Sequence, residues 1–154
     1  MALVRSSHKV FKIKHHFVFC IKYRKDLFRD DKYVETVKQI CKDIENRFYI
    51  LFETIGFDDD HVHFLVESLT TIYSSAKIFQ FVKSITAREL FIRHPEIKKE
   101  LYHGEFWSYG GYAGTVGEGI NADIIRNYIK NQGRKVDQLK LIDFLSSSDA
   151  PLSP

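Results

Sequence analysis

Apolar and polar residues change their period several times along this chain, and each change marks an element. From His8 to Tyr23 they alternate: Phe11, Ile13, His15, Phe17, Phe19, Ile21 and Tyr23 fall on one side, and Lys12, Lys14 and His16 fall on the other, followed there by Val18 and Cys20. Period two is the signature of a strand, so this segment reads as a central strand with one cationic end. The period then lengthens. Asp30 or Asp31 offers an N-cap carboxylate, and Tyr33, Val37, Ile40, Cys41 and Ile44 recur at three and four, the stripe of a helix laid on a sheet. Phe48 to Phe57, rich in aromatic and β-branched residues, predicts a second strand, which turns through Asp58, Asp59 and Asp60 into a third near one edge of the sheet.

Ser74 or Ser75 opens a second amphipathic helix running to Arg93, with Ile78, Phe79, Val82, Ile85 and Leu90 toward the core. His94-Pro95 ends it, because the residue before a proline is pushed out of the helical region. Pro95 then suits the first position of a short helix to Tyr102, closed by Gly104. Phe106 to Val116 supplies a fourth strand, and Gly117 and Gly119 lead into a helix over residues 121–133, capped by Asn121, with Asp123 at its positive end and Gly133 as its stop. Lys135 to Leu145 reads as a last helix and Ser146 to Pro154 as a tail. The order β-α-β-β-α-(α)-β-α predicts an α+β fold: a ferredoxin-like antiparallel sheet (βαββαβ) with an added C-terminal helix. Residues 1–135 form the single expected domain, and residues 136–154 the appended helix and flexible tail.

Composition narrows the class without naming a function. With 154 residues, 44% hydrophobic and 14% aromatic, the chain suits one packed domain and is short for two. A formal charge of +3 permits a polyanionic partner but does not demand one. Cys20 and Cys41 have no neighbour at zinc-finger spacing and read as reduced thiols. No apolar run approaches the roughly 20 residues of a membrane span, and the first residues lack the apolar core of a signal peptide. The expectation is a soluble, cytoplasmic protein with no membrane partner.

Chemistry enters at Asp60-His61-Val62-His63. On a strand, His61 and His63 share a face, and two imidazoles there can hold one divalent ion. Far down the chain Tyr128 and Gln132 stand four apart on a helix, placing a phenol and an amide carbonyl on one side. Each pair alone is commonplace, and a histidine in a sheet or a tyrosine on a helix is ordinarily a packing residue. Their coexistence is what draws attention.

Together with other blocks, these residues carry a family resemblance. The chain resembles the single-tyrosine HUH transposases of the insertion-sequence 200/605 group. The blocks are His16-Phe17-Val18-Phe19 with Lys22-Tyr23-Arg24, then Asp60-His61-Val62-His63, then Trp107-Ser108 with Gly111-Tyr112 and Thr115-Val116-Gly117, then Tyr128-Ile129-Lys130-Asn131-Gln132. They run in order over nearly the whole chain. The departure is Ala113-Gly114, small where relatives carry bulkier residues.

The resemblance implies a transposase that cuts and rejoins single-stranded DNA, with Tyr128 as nucleophile, His61, His63 and Gln132 as ligands of Mg²⁺ or Mn²⁺, and a 5′-phosphotyrosine intermediate. It also implies a homodimer that recognises DNA hairpins at element ends, with the tyrosine helix of one subunit able to complete the histidine site of the other. A phenol with an ordinary pKa of about 10 needs a phosphate made more electrophilic, which is the service a divalent ion provides. Lys12, Lys14, Arg24, Lys83 and Arg88 are the candidate DNA-backbone contacts, with Tyr23 as a stacking candidate. A solvated face is the competing reading of the Lys77, Lys83, Arg88 and Arg93 arc.

Other classes stay open. A domesticated host DNA-processing nuclease of the same family would carry the same residues, and a catalytically silent module binding hairpin DNA or RNA would carry the fold. His61 and His63 replace the stacking aromatics of an RNA-recognition strand, and Leu65 replaces the third histidine of a histidine-triad hydrolase.

Overall fold

The computed structural model describes residues 4–6, 9–11, 13–68, 72–101, 104–116 and 120–130. The expected helix over 135–145, the tail, Lys12, Gln132, and the glycines at 117, 119 and 133 lie outside the described residues. In chain order the elements are β1 (Val4–Ser6), β2 (Lys9–Phe11), β3 (Ile13–Ile21), α1 (Asp31–Arg47), β4 (Ile50–Asp58), β5 (His61–Ser68), α2 (Ser75–Arg93), α3 (Ile97–Glu100), β6 (Trp107–Val116) and α4 (Ile120–Lys130). β4, β5, β3 and β6 form one four-stranded sheet in that order, antiparallel throughout. This is the expected α+β, ferredoxin-like arrangement, with the tyrosine helix added.

Several boundaries differ from the sequence reading. The alternation from His8 to Tyr23 is divided: β1 and β2 make their own two-stranded ribbon, and the long strand starts at Ile13. Period two reports strand character and is blind to a change of partner. At the other end, Tyr23 and Arg24 leave the strand in a 3₁₀ turn with φ of 60° and 53°. Asn121 is no cap, since α4 already starts at Ile120. The short helix is one turn, Ile97–Glu100, entered from Glu96 instead of Pro95. The histidine strand, β5, is an inner strand and not near an edge, and all eight of its residues are buried.

Helix starts follow the caps. Asp30 accepts from the Lys32 amide at 3.0 Å, and Ser74 accepts from the Lys77 amide at 3.1 Å, each satisfying a donor the helix leaves orphaned. α1 and α2 cover one face of the sheet. There Phe17, Phe19 and Ile21 of β3 meet Val62, Phe64 and Val66 of β5, and from the helices Val37, Ile40, Ile44, Ile78, Val82 and Leu90, all essentially inaccessible. Phe19 sits at the centre of an aromatic cluster, with ring centroids 4.9 Å from Phe79, 5.2 Å from Trp107 and 5.4 Å from Phe64. The Trp107 indole donates to Thr86 Oγ1 at 2.9 Å, so its buried N–H is not left unpaired. β6 runs unbroken through Ala113 and Gly114, which oppose Phe17 and His16. Gly111 is required: its φ is +129°, and a Cβ there would collide with the Val18 carbonyl.

Among the described residues, the opposite face carries only α4. Its apolar contact is small: Leu65, Ile125 and Ile129, with half-buried Tyr112, Val116 and Tyr128 around them. Charge supplements it. Arg126 donates from Nε to Glu53 of β4 at 2.7 Å, and Glu53 also pairs with Lys14 of β3 at 3.0 Å. One carboxylate thus ties the helix to two strands. Burial pushes the Glu53 carboxyl up, but the hydrogen bonds from Lys14 and Arg126 prevail and hold it below the usual range. Among the described residues no helix is long and apolar enough to cross a membrane.

Candidate active site

Alternation along β5 decides which residues line the α4 face. Val62, Phe64 and Val66 enter the core, so His61, His63 and Leu65 must point the other way, toward α4. His61 and His63 keep only 5% and 3% of their surface, and their ring centroids lie 5.1 Å apart. Tyr128, three residues from Ile125 and next to Ile129, is carried onto the same spot. Its ring stands edge-on to His63, with centroids 5.4 Å apart at 73°. Residues separated by 65 positions in sequence therefore meet within one chain.

Each histidine is held at Nδ1. His61 Nδ1 lies 2.7 Å from Asp60 Oδ1, and Asp60 Oδ2 accepts from Arg24 Nε at 2.9 Å. Burial raises the Asp60 carboxyl, but the hydrogen bonds from His61 and Arg24 outweigh this and hold it below its ordinary value. An ionised carboxylate only accepts, so His61 carries a proton on Nδ1, which leaves Nε2 as the nitrogen turned away from Asp60. His63 Nδ1 lies 3.1 Å from His16 Nε2, with the two rings stacked at 5.4 Å and 12°. Among the described residues His63 Nε2 is buried without a hydrogen-bond partner.

Burial drives both inner imidazoles toward neutrality. The His63 pKa falls well below its usual value through desolvation first, then through His16 and His61 beside it. His16, also desolvated, is lowered to about 4. A neutral imidazole is the form that ligates a metal. A buried imidazole nitrogen with no hydrogen-bond partner among the described residues, beside a second imidazole on the same strand face, fits a divalent cation. Among the described residues no cluster of three or more His, Cys, Asp or Glu side chains forms a complete cage. Gln132, the third candidate ligand, lies outside the described residues.

The remaining candidates have definite places. Lys14 is taken up by Glu53, and Arg24 by Asp60, so both serve the site's framework. Lys83 lies half-buried, its amine pushed down by desolvation, and donates to the Ser108 carbonyl at 3.1 Å. Arg88 is exposed beside Glu89. Lys83 and Arg88 nonetheless line one groove, between α2 and the start of β6, with Phe91, Lys98 and Tyr109. Tyr109 is 89% exposed, and the Lys22 amine lies 5.2 Å above its ring. Tyr23, half exposed, projects from the strained turn beside Lys22.

Sequence reasoning gave His16 no role of its own. Strand parity put His16 on the lysine side of its strand, but the register that sets β3 against β5 is invisible in a linear pattern. Asp60 was recognisable only as one of three acidic residues in a turn.

Comparisons with known proteins bear on the family and the fold. The family whose pattern matches residues 9–132 is described as Transposase IS200 like. The ISDra2 transposase TnpA of Deinococcus radiodurans is 29% identical over 126 residues, covering 82% of this chain and 88% of that protein. The transposase for insertion sequence element IS200 of Salmonella typhimurium is 28% identical over 129 residues, covering 82% and 80%. A crystal structure of a candidate transposase from Deinococcus radiodurans R1 superposes with a TM-score of 0.65 at 25% identity, over 85% of this chain and 98% of that one. A REP-associated tyrosine transposase bound to a REP hairpin shares the fold, with a TM-score of 0.57 at 10% identity, over 84% and 70%.

Proposed function

The chain belongs to the IS200-like transposase family, and from that premise we propose that it cuts and rejoins single-stranded DNA by transesterification at Tyr128. The observation that carries the reading is the edge-on contact of Tyr128 with His63, at 5.4 Å between centroids. A phenol beside two imidazoles on a buried face has the parts that metal-assisted attack on a phosphodiester needs.

His61 and His63 would hold the cation, with the Gln132 side chain as the third ligand that the family resemblance implies. Mg²⁺ or Mn²⁺, when bound, supplies Lewis-acid polarisation of the scissile phosphate. Tyr128 Oη forms a new bond to phosphorus, and the bond from phosphorus to the 3′ oxygen breaks. The phenol's proton passes to solvent, and the departing 3′ oxygen takes one up, so no net charge is made or lost. The resulting 5′-phosphotyrosine keeps the ester's energy. A 3′-OH attacking it restores a phosphodiester and returns the phenol, so joining needs no ATP.

Hairpin DNA is the proposed substrate. The structural neighbour bound to a REP hairpin supports a folded single strand as ligand. The groove of Lys83, Arg88, Lys98, Phe91 and Tyr109 combines cations with aromatic faces, the pairing that single strands exploit. A homodimer, with exchange of tyrosine helices, completes the proposal. The test is incubation of the protein with a labelled single-stranded hairpin and Mn²⁺. A covalent adduct in the parent, absent in Tyr128→Phe, supports the enzyme. Unchanged hairpin binding with no adduct in either protein would mark a silent binding module.

A further inference from the structure

The two histidines of the site are held by unlike partners, and one of those partners has no assigned role. Asp60 fixes His61 with a carboxylate, whereas His63 meets the Nε2 of another imidazole, His16, at 3.1 Å. We propose that His16 is a positioning residue, accepting the Nδ1 proton of His63 and so turning the Nε2 lone pair of His63 toward the cation. This rests on the reading of His61 and His63 as metal ligands.

Stereochemistry leaves two arrangements for the pair. Either His63 Nδ1–H donates to His16 Nε2, or His16 Nε2–H donates to His63 Nδ1. In the protein alone they are nearly balanced. Among the described residues His16 Nδ1 and His63 Nε2 are both buried without partners, so each arrangement leaves one orphaned N–H and one orphaned lone pair. Only the first offers a lone pair at His63 Nε2, and a cation there selects it. Partners at the distal nitrogen of a ligating histidine are a general device for setting tautomer and ring orientation.

His16 is also held in place for this task. It is 1% exposed, stacks on His63 with 12° between ring planes, and has Tyr112 on another side at 5.4 Å. It lies on β3, opposite Leu65 and Gly114, and so reaches His63 diagonally across the strand pair. A ring there that served only to fill space would not need its nitrogen aimed at Nδ1.

The experiment measures Mn²⁺ affinity of the DNA-free full chain by electron paramagnetic resonance, beside thermal melts. His16→Phe keeps the ring and removes the acceptor, and His16→Gln restores an accepting carbonyl. The expected result is affinity lowered about tenfold or more in His16→Phe and largely recovered in His16→Gln, without a lower melting temperature to explain the loss. Binding abolished by His63→Ala yet unchanged in His16→Phe would overturn the positioning role alone. Binding that survived His63→Ala would overturn the metal reading, and the proposal with it. Imidazole ¹⁵N shifts of the parent with Mg²⁺ provide a check independent of any variant's folding. A pyrrole-type Nδ1 on His63 supports the proposal, and a pyrrole-type Nε2 refutes it.

Discussion

The two faces of this sheet are built on different principles. Toward α1 and α2 lies a continuous apolar core crowded with aromatic rings around Phe19. Toward α4 lie three buried histidines and a three-residue apolar contact, fastened by one glutamate. Burial stabilises the first face, at roughly 25 cal/mol per Å² of apolar surface. On the second, the same burial costs desolvation of imidazoles that find few partners. The same strands make both faces, so parity along β3 and β5 separates stability from chemistry.

The contrast breaks most sharply under matched truncations. His63→Ala should reduce strand cleavage about 10³-fold or more, since several kcal/mol of metal stabilisation are lost, while urea midpoints move little. Phe19→Ala should do the reverse, lowering unfolding free energy by about 3–5 kcal/mol through the loss of contacts at the centre of the aromatic cluster. Equal effects of the two on stability would erase the distinction between faces.

Acid probes a histidine on the packed face. His15 is 2% exposed, neither ring nitrogen has a partner, and burial lowers its pKa to about 4. The unfolded chain binds that proton below its ordinary value near 6.5, and the folded chain only near 4. Stability should therefore fall as pH drops from about 6.5 toward 4, by up to about 3 kcal/mol from this group. Urea titrations at both pH values should show a shallower loss in His15→Phe. An identical slope would contradict the assignment.

A smaller effect separates docking from folding. Glu53→Gln removes the carboxylate that Arg126 and Lys14 share, a loss of about 1 kcal/mol at these partly exposed positions. It should raise hydrogen exchange in α4 while leaving α1 and α2 protected. Uniform loosening of all three helices would show that α4 is not held separately.

Much of this was legible before any coordinates. Strand parity sorted β5 correctly because one face of that strand is a continuous Val62, Phe64, Val66 row, and caps at Asp30 and Ser74 started the helices where such residues should. What stayed hidden depends on pairing. The register that sets His16 diagonal to His63, the split of the first alternating run, and the inner position of β5 are properties of strand partnership, which periodicity does not encode. The pairings of Lys14 with Glu53 and of Arg24 with Asp60 were hidden as well, because the partners lie 39 and 36 residues away.

The mixing of subunits tests the proposed dimer. Tyr128→Phe and His63→Ala are each expected to be inactive, and activity restored in their mixture would show a tyrosine helix serving its partner's histidines. Continued inactivity would confine the chemistry to one chain.

The phenol beside His63 is the proposed nucleophile. The direct measurement is mass spectrometry of the chain after reaction with a single-stranded hairpin and Mn²⁺, followed by nuclease and trypsin digestion. A nucleotide joined through its 5′ phosphate to Tyr128, in the peptide from Asn127 to Lys130, is the predicted result. An adduct on any other side chain, with Tyr128 unmodified, would contradict it.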